Sequence, residues 1–160
     1  MSLEMKVGDA ILFKGKGILG KLISFATRSE YTHCGCYIGE GNIVESDWGG
    51  VQVENIEGRN DFDVFSPIKA SYRQRRDAVK WMLDQKGKGY DYQGLIGIGL
   101  SLLRGCKRNK FDHKDKYWCS ELVADGYIKV GIKCGIHHHT WTTAPKEFSN
   151  PKYFQKAYID

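Results

Sequence analysis

A chain of 160 residues with 41% hydrophobic and 27% charged residues has the make-up of one ordinary globular domain, which excludes disordered, collagenous and mucin-like classes. The formal charge of +5 leans mildly towards anionic partners. The basic residues are scattered, however, and the clusters Arg73-Gln74-Arg75-Arg76 and Lys107-Arg108-Asn109-Lys110 read as solvated faces, so no nucleic-acid partner is expected.

Residues 1–4 read as an expression scar or a disordered N-terminus, with Met5 as the natural start and a single domain over 5–160. Glu4, Lys6 and Asp9 interrupt any apolar core that a secretory signal would need. Val7-Gly8-Asp9 turns into a short strand, Ala10-Ile11-Leu12-Phe13, ended by Gly15 and Gly17. Leu19, Leu22, Ile23 and Ala26 then recur at helical spacing. Thr32 to Ile38 alternates, with Cys34, Cys36 and Ile38 on a core-like side. His33 falls on the other side, beside glycines that let another group come close.

Glu40-Gly41-Asn42 is a turn, so Ile43-Val44-Glu45-Ser46 is expected to return as the antiparallel partner. Asp47-Trp48-Gly49-Gly50 turns again into Val51–Ile56, and a further strand, Asp63–Ser66, ends near Pro67. The second half changes period. Ala78, Trp81, Met82 and Gln85 mark a helix from near Ser71 to Gly87, followed by the connector Tyr90-Asp91-Tyr92. The apolar run Leu95–Leu103 is nine residues long. A bilayer span takes about twenty, so the run reads as a buried helix or a substrate-facing wall and no transmembrane segment is expected. Residues 104–116 read as an exposed basic loop, and Leu122, Val123, Gly126, Tyr127 and Val130 form one stripe of a helix that begins at Cys119. The tail, with Pro145, Pro151 and Phe154, reads as irregular. The fold class is therefore α+β: an antiparallel sheet of about five strands packed against about four helices.

The chemistry centres on Cys119 and His33. A thiol on the first turn of a helix lies in the partial positive charge of unpaired amides, which favours the thiolate and offers donors to an oxyanion. A second reading is open at this point: Cys119 as a small buried hydrophobe. Glu45, on the partner strand, is placed to accept the second ring N–H of His33 and fix the imidazole. Asp47 or a backbone carbonyl are alternatives for that role, and Glu45 itself has the alternative of an edge-strand charge. The flanking aromatics Tyr31, Trp48, Tyr117 and Trp118 are candidates for substrate binding, although core packing explains each equally well. No metal site is expected. His33, Cys34 and Cys36 lie on two faces of one strand, and His137-His138-His139 lacks helical ligand spacing. No cofactor is expected either, since Gly97-Ile98-Gly99 lacks the remainder of a dinucleotide fingerprint and no phosphate-binding loop is present. Five cysteines, an odd number, fit reduced thiols and a cytoplasmic location.

Taken together and in order, Gly8-Asp9, Ala26-Thr27-Arg28-Ser29-Glu30-Tyr31-Thr32-His33, Gly35-Cys36-Tyr37-Ile38-Gly39, Val44-Glu45, Gly89-Tyr90-Asp91 and Tyr117-Trp118-Cys119-Ser120-Glu121-Leu122-Val123 resemble the circularly permuted branch of the NlpC/P60 papain-like superfamily. The similar subgroup is that of the YiiX/YebB-like cysteine peptidases and amidases, and the late Ala144-Pro145 with Phe148 also fits. The resemblance implies a permuted papain-like fold with Cys119 as nucleophile, His33 as general base and then acid, and Glu45 as the residue that orients His33. Cys34 stands where that family usually has a β-branched residue. The implied activity is hydrolysis of an amide bond in a small peptide or N-acyl amino acid through a thioester. The alternatives are a lipid esterase or acyltransferase of the same thiol chemistry, and an inactive binding module.

Overall fold

Two consecutive residues with positive φ, Glu40 at 52° and Gly41 at 71°, close a tight hairpin between β2 (Tyr31–Gly39) and β3 (Asn42–Asp47). Positive φ at both central positions is the type I′ geometry that matches the twist of paired strands. Gly39 pairs with Asn42, and the ladder then sets Glu45 opposite Gly35. The structure is a computed structural model that describes residues 5–15, 24, 28–91, 115–136 and 140–157.

Around this hairpin lie β1 (Ala10–Lys14), β4 (Gly50–Asn55) and β5 (Phe62–Pro67), then α1 (Tyr72–Leu83), the two-residue strands β6 (Gly89–Tyr90) and β7 (Lys116–Tyr117), α2 (Cys119–Lys129) and β8 (Phe154–Ala157). The large sheet is antiparallel, in the order β4-β3-β2-β1-β5-β8. It has six strands where five were expected. The tail, read as irregular, contributes two short 3-10 turns, Thr140–Thr142 and Pro145–Ser149, and then β8, which pairs with β5. A four-residue strand after prolines carries too little alternation to stand out.

Among the described residues there are two α-helices, so the expected count of about four is not supported. The helices expected over 19–26 and 95–103 lie outside the described residues, apart from Ser24, and so do residues 104–114 and His137-His138-His139. The end of the expected basic loop is not a loop: Lys116–Tyr117 pairs in parallel with Gly89–Tyr90. Among the described residues no helix is long and apolar enough to cross a membrane.

A capping box starts α1. The Ser71 hydroxyl accepts from the Gln74 N–H at 3.2 Å, and the Gln74 carbonyl Oε1 accepts from the Ser71 N–H at 3.0 Å. The sheet buries apolar side chains on both faces. Ala10, Leu12, Cys34, Cys36, Val44 and Phe65 pack with the helical Ala78, Met82, Leu122, Val123 and Tyr127. Ile11, Phe13, Ile43, Ile56 and Val64 form a second cluster. The helices approach closely at Gly126, where any Cβ would run into the Met82 side chain.

One member of the basic cluster near residue 75 departs from its expected solvated face. Arg75 donates to the fully buried Asp9 Oδ1 at 2.5 Å and to the Pro67 carbonyl at 2.9 Å. Asp9 also accepts from Ser66 Oγ at 2.6 Å and from the Lys6 N–H at 2.8 Å. Tyr127 Oη donates to the Gly8 carbonyl at 2.8 Å. The start of β1, the end of β5 and both helices are thus tied by one buried polar network. Charge pattern alone does not separate Arg75 from Arg73, whose side chain is 91% exposed.

Candidate active site

Trp118 has extended backbone angles and serves as the N-cap, which makes Cys119 the first helical residue of α2. Three contacts fix that start. The Glu121 carboxylate accepts from the Trp118 N–H at 3.5 Å, Ser120 Oγ donates to the Thr143 carbonyl at 2.6 Å, and Ser46 Oγ donates to the Tyr117 carbonyl at 2.6 Å. Ser46 is on β3 next to Glu45. Alternation therefore sends one residue of β3 to the segment before Cys119 and its neighbour to His33.

His33 Nε2 and Glu45 Oε2 are 2.7 Å apart. The pairing is diagonal across the β2–β3 ladder, and it passes over Gly35, which lies opposite Glu45. A Cβ at Gly35 would meet Ile43 Cδ1 at 2.8 Å, the Val44 carbonyl oxygen at 3.1 Å and Glu45 Cβ at 3.3 Å. Gly35→Ala is expected to push the Glu45 strand away, cost about 1–3 kcal/mol of stability and lower activity in step. Thermal melts together with rates check this.

The charges at the site depend on one another. For Cys119 the largest influence is a hydrogen bond from the Cys34 thiol; burial opposes it, and the charge and hydrogen bond of His33 add to it, holding the thiol well below its ordinary range. Burial, with the adjacent Cys119 sulfur, pushes the Cys34 thiol well up, so Cys34 remains a protonated donor. Burial by itself would depress His33, but the charge and hydrogen bond of Cys119, then those of Glu45, raise it to about 10. Burial pushes Glu45 up, yet hydrogen bonding to His33, the His33 charge and hydrogen bonds from Gln52 and Glu54 bring it below the usual carboxylate value. These directions favour a thiolate, an imidazolium and a carboxylate in a row. Nε2 faces Glu45, which leaves Nδ1 for Cys119. The His33 side chain is 26% exposed and that of Glu45 3%, so the row is reached from solvent at the imidazole.

The structure thus brings Cys119, His33 and Glu45 together. The four flanking aromatics divide. Trp48 is 57% exposed and its ring lies 5.8 Å from that of Tyr90. Tyr31, Tyr117 and Trp118 are buried. A register shift between Phe13 and Lys14 turns Tyr31 into the helix-facing cluster, where its hydroxyl donates to Asp63 at 2.7 Å. Tyr117 packs edge-on against Trp81 and under Lys88.

Sequence reasoning missed three neighbours of the site. Cys34 was expected only as core. Gln52 and Glu54 share one side of β4 by alternation, but only the β3–β4 register shows that this side faces Glu45.

No protein-family model matches the chain. It is 21% identical over 166 residues to the "Probable lipoprotein peptidase YaeF" of Escherichia coli (strain K12), covering 86% of this chain and 61% of YaeF. The chain therefore spans about three-fifths of that relative's length. The crystal structure of metalloprotein yiiX from Escherichia coli O157:H7 superposes with a TM-score of 0.72, at 16% identity and over 97% of both chains. The fold is YiiX-like. That fold agrees with the one the sequence resemblance implied. Among the described residues of this chain, no three His, Cys, Asp or Glu side chains are grouped to hold a metal ion.

Proposed function

We propose that the protein is a cysteine hydrolase that cleaves an amide bond in a small peptide or N-acyl amino acid, with Cys119 as nucleophile, His33 as acid–base and Glu45 as its orienting carboxylate. The observation that carries this reading is the 2.7 Å contact of His33 Nε2 with Glu45 Oε2, which leaves the opposite ring nitrogen for Cys119 at a helix N-terminus. The likeness to a peptidase supports it. The word "metalloprotein" describes yiiX; among the described residues of this chain no three His, Cys, Asp or Glu side chains are grouped to hold a metal ion.

In the first step the Cys119 thiolate attacks the substrate carbonyl carbon. The Cys119 amide, at the first helical position and without an intrahelical acceptor, is placed to donate to the developing oxyanion. The His33 imidazolium gives its proton to the leaving amine as the C–N bond breaks, which leaves a thioester. Neutral His33 then takes a proton from water, which attacks the thioester and releases the acid and the thiolate. Of the candidate aromatics, the exposed Trp48 is the one available to a substrate without repacking the core.

The sign of the pH dependence follows. Activity rises as Cys119 deprotonates, at a pH well below the ordinary thiol range, and falls as His33 loses its proton near pH 10. A kcat/KM profile checks both limbs. The substrate class is tested by offering peptide amides, N-acyl amino acids and phospholipid vesicles to wild type and Cys119→Ser, with mass spectrometry for an acyl adduct on Cys119. Adducts from amides alone support the reading. Adducts from lipids alone replace it with the esterase or acyltransferase, and none from any class leaves a binding module. From cysteine usage, the compartment we propose is the cytoplasm; "lipoprotein" belongs to the name of YaeF.

A further inference from the structure

Glu45 has two carboxylate oxygens, and the reaction described above uses one. Oε2 faces His33 at 2.7 Å, and Oε1 accepts a hydrogen bond from Gln52 Nε2 at 3.4 Å. Gln52 is directly opposite Glu45 in the β3–β4 ladder, so the two side chains leave the sheet on the same face. Glu54, two residues on and on the same side, also reaches Glu45. Its carboxylate is 3.8 Å from Arg59. The Arg59 guanidinium lies 4.2 Å from the Phe13 ring centroid, and Phe13 is 5.5 Å from His33. A belt of side chains from β1, β2, β3, β4 and the β4–β5 connection therefore closes around the His33–Glu45 pair. Within it, Gln52 and Glu54 both hydrogen-bond to Glu45, and Gln52 is the neutral one, whose donor does not depend on a titratable proton.

That neutrality matters. A carboxylate held at one oxygen by His33 remains free to swing about its last torsion, and the swing carries Oε2 out of line with Nε2. An amide donor on Oε1 blocks the swing without adding a positive charge that would compete with the imidazolium for Glu45. A lysine there would offer the same hydrogen bond and weaken the hold on His33.

We propose that Gln52 is a positioning residue for catalysis, acting through Glu45 to keep the carboxylate aligned on His33. This rests on the reading of His33 and Glu45 as the partners of Cys119. The charged and titratable groups that bear on Glu45 are His33 and Cys34 on one side and Glu54 and Arg59 on the other, with Cys119 acting on His33 and Asp47 on Glu54. Gln52→Met keeps the bulk and removes the donor without altering any of these charges.

The test needs no substrate. The pH dependence of Cys119 alkylation by iodoacetamide is measured in wild type, Gln52→Met, Glu45→Gln and the double variant, and Gln52→Val, which also lacks a donor, stands in if the methionine variant does not fold. Gln52→Met is expected to move the His33 limb of the profile to lower pH, to lower the rate at its optimum roughly five- to tenfold, the worth of one ordinary hydrogen bond, and to have no further effect once Glu45→Gln is present. A Gln52→Met profile that overlays wild type while Glu45→Gln shifts it overturns the proposal alone. Equal effects of Gln52→Met with and without Glu45 overturn it too, since the residue would then act by packing. A Glu45→Gln profile identical to wild type removes the underlying reading of the pair, and the proposal with it.

Discussion

Cys119→Ser is expected to fold as wild type and to lose about four orders of magnitude or more in kcat/KM on any substrate that the wild type turns over. The swap is nearly isosteric at a position only 4% exposed, so circular dichroism and the melting temperature should hardly move. Serine fails for an electrostatic reason. The hydrogen bond from Cys34 and the charge and hydrogen bond of His33 can hold a thiol ionised, but an alkoxide needs far more stabilisation than they supply. His33→Ala is expected to cost a similar factor, and the double variant no more than either single one, because the two side chains act as one unit. Steady-state kinetics of the three variants checks this. Substantial activity in Cys119→Ser would remove the thiol from the mechanism.

The second large effect lies away from the site. Arg75→Ala is expected to destabilise the fold by about 3–5 kcal/mol, because it leaves the carboxylate of Asp9 buried without its counter-charge. Asp9 is fully buried and the Arg75 side chain 13% exposed, so solvent screens the pair little. The neighbouring Arg73 provides the contrast. Its bond to Asp77 is 3.7 Å long, between side chains 91% and 54% exposed. Arg73→Ala is expected to cost less than about 0.5 kcal/mol. Urea unfolding of both variants measures the difference, and equal midpoints would contradict the role given to the Asp9 network. The effect bears on function indirectly, since Arg75 and Tyr127 join both helices to the β1 end of the sheet that carries His33 on β2.

What was legible in the sequence follows from the period of each signal. A strict alternation over residues 32–38, a Glu-Gly turn and a return strand sufficed to place Glu45 on the side of His33, because a two-residue loop leaves little freedom of register. The helix from Cys119 was legible from its stripe and from the break before it. Tyr31 was not, since an extra residue in β2 at the register shift against β1 reverses its side, and bulges leave no mark in local hydrophobicity. Nor was β8, too short to show a period. Arg75 was hidden within a basic cluster because its burial depends on Asp9, 66 residues earlier in the chain. Cys34 was placed in the core correctly, but its contact with Cys119 joins a strand to a helix that are distant in sequence, and no local pattern reports such a meeting.

The central claim is that one thiolate–imidazolium pair forms between the last helix and the second strand. The ultraviolet absorbance of the Cys119 thiolate, titrated against pH in wild type and in His33→Ala with the other cysteines as internal reference, tests it most directly. The expected result is a wild-type midpoint far below that of an ordinary thiol, which moves sharply upwards when His33 is removed. A midpoint in the ordinary range, indifferent to His33, would contradict the account.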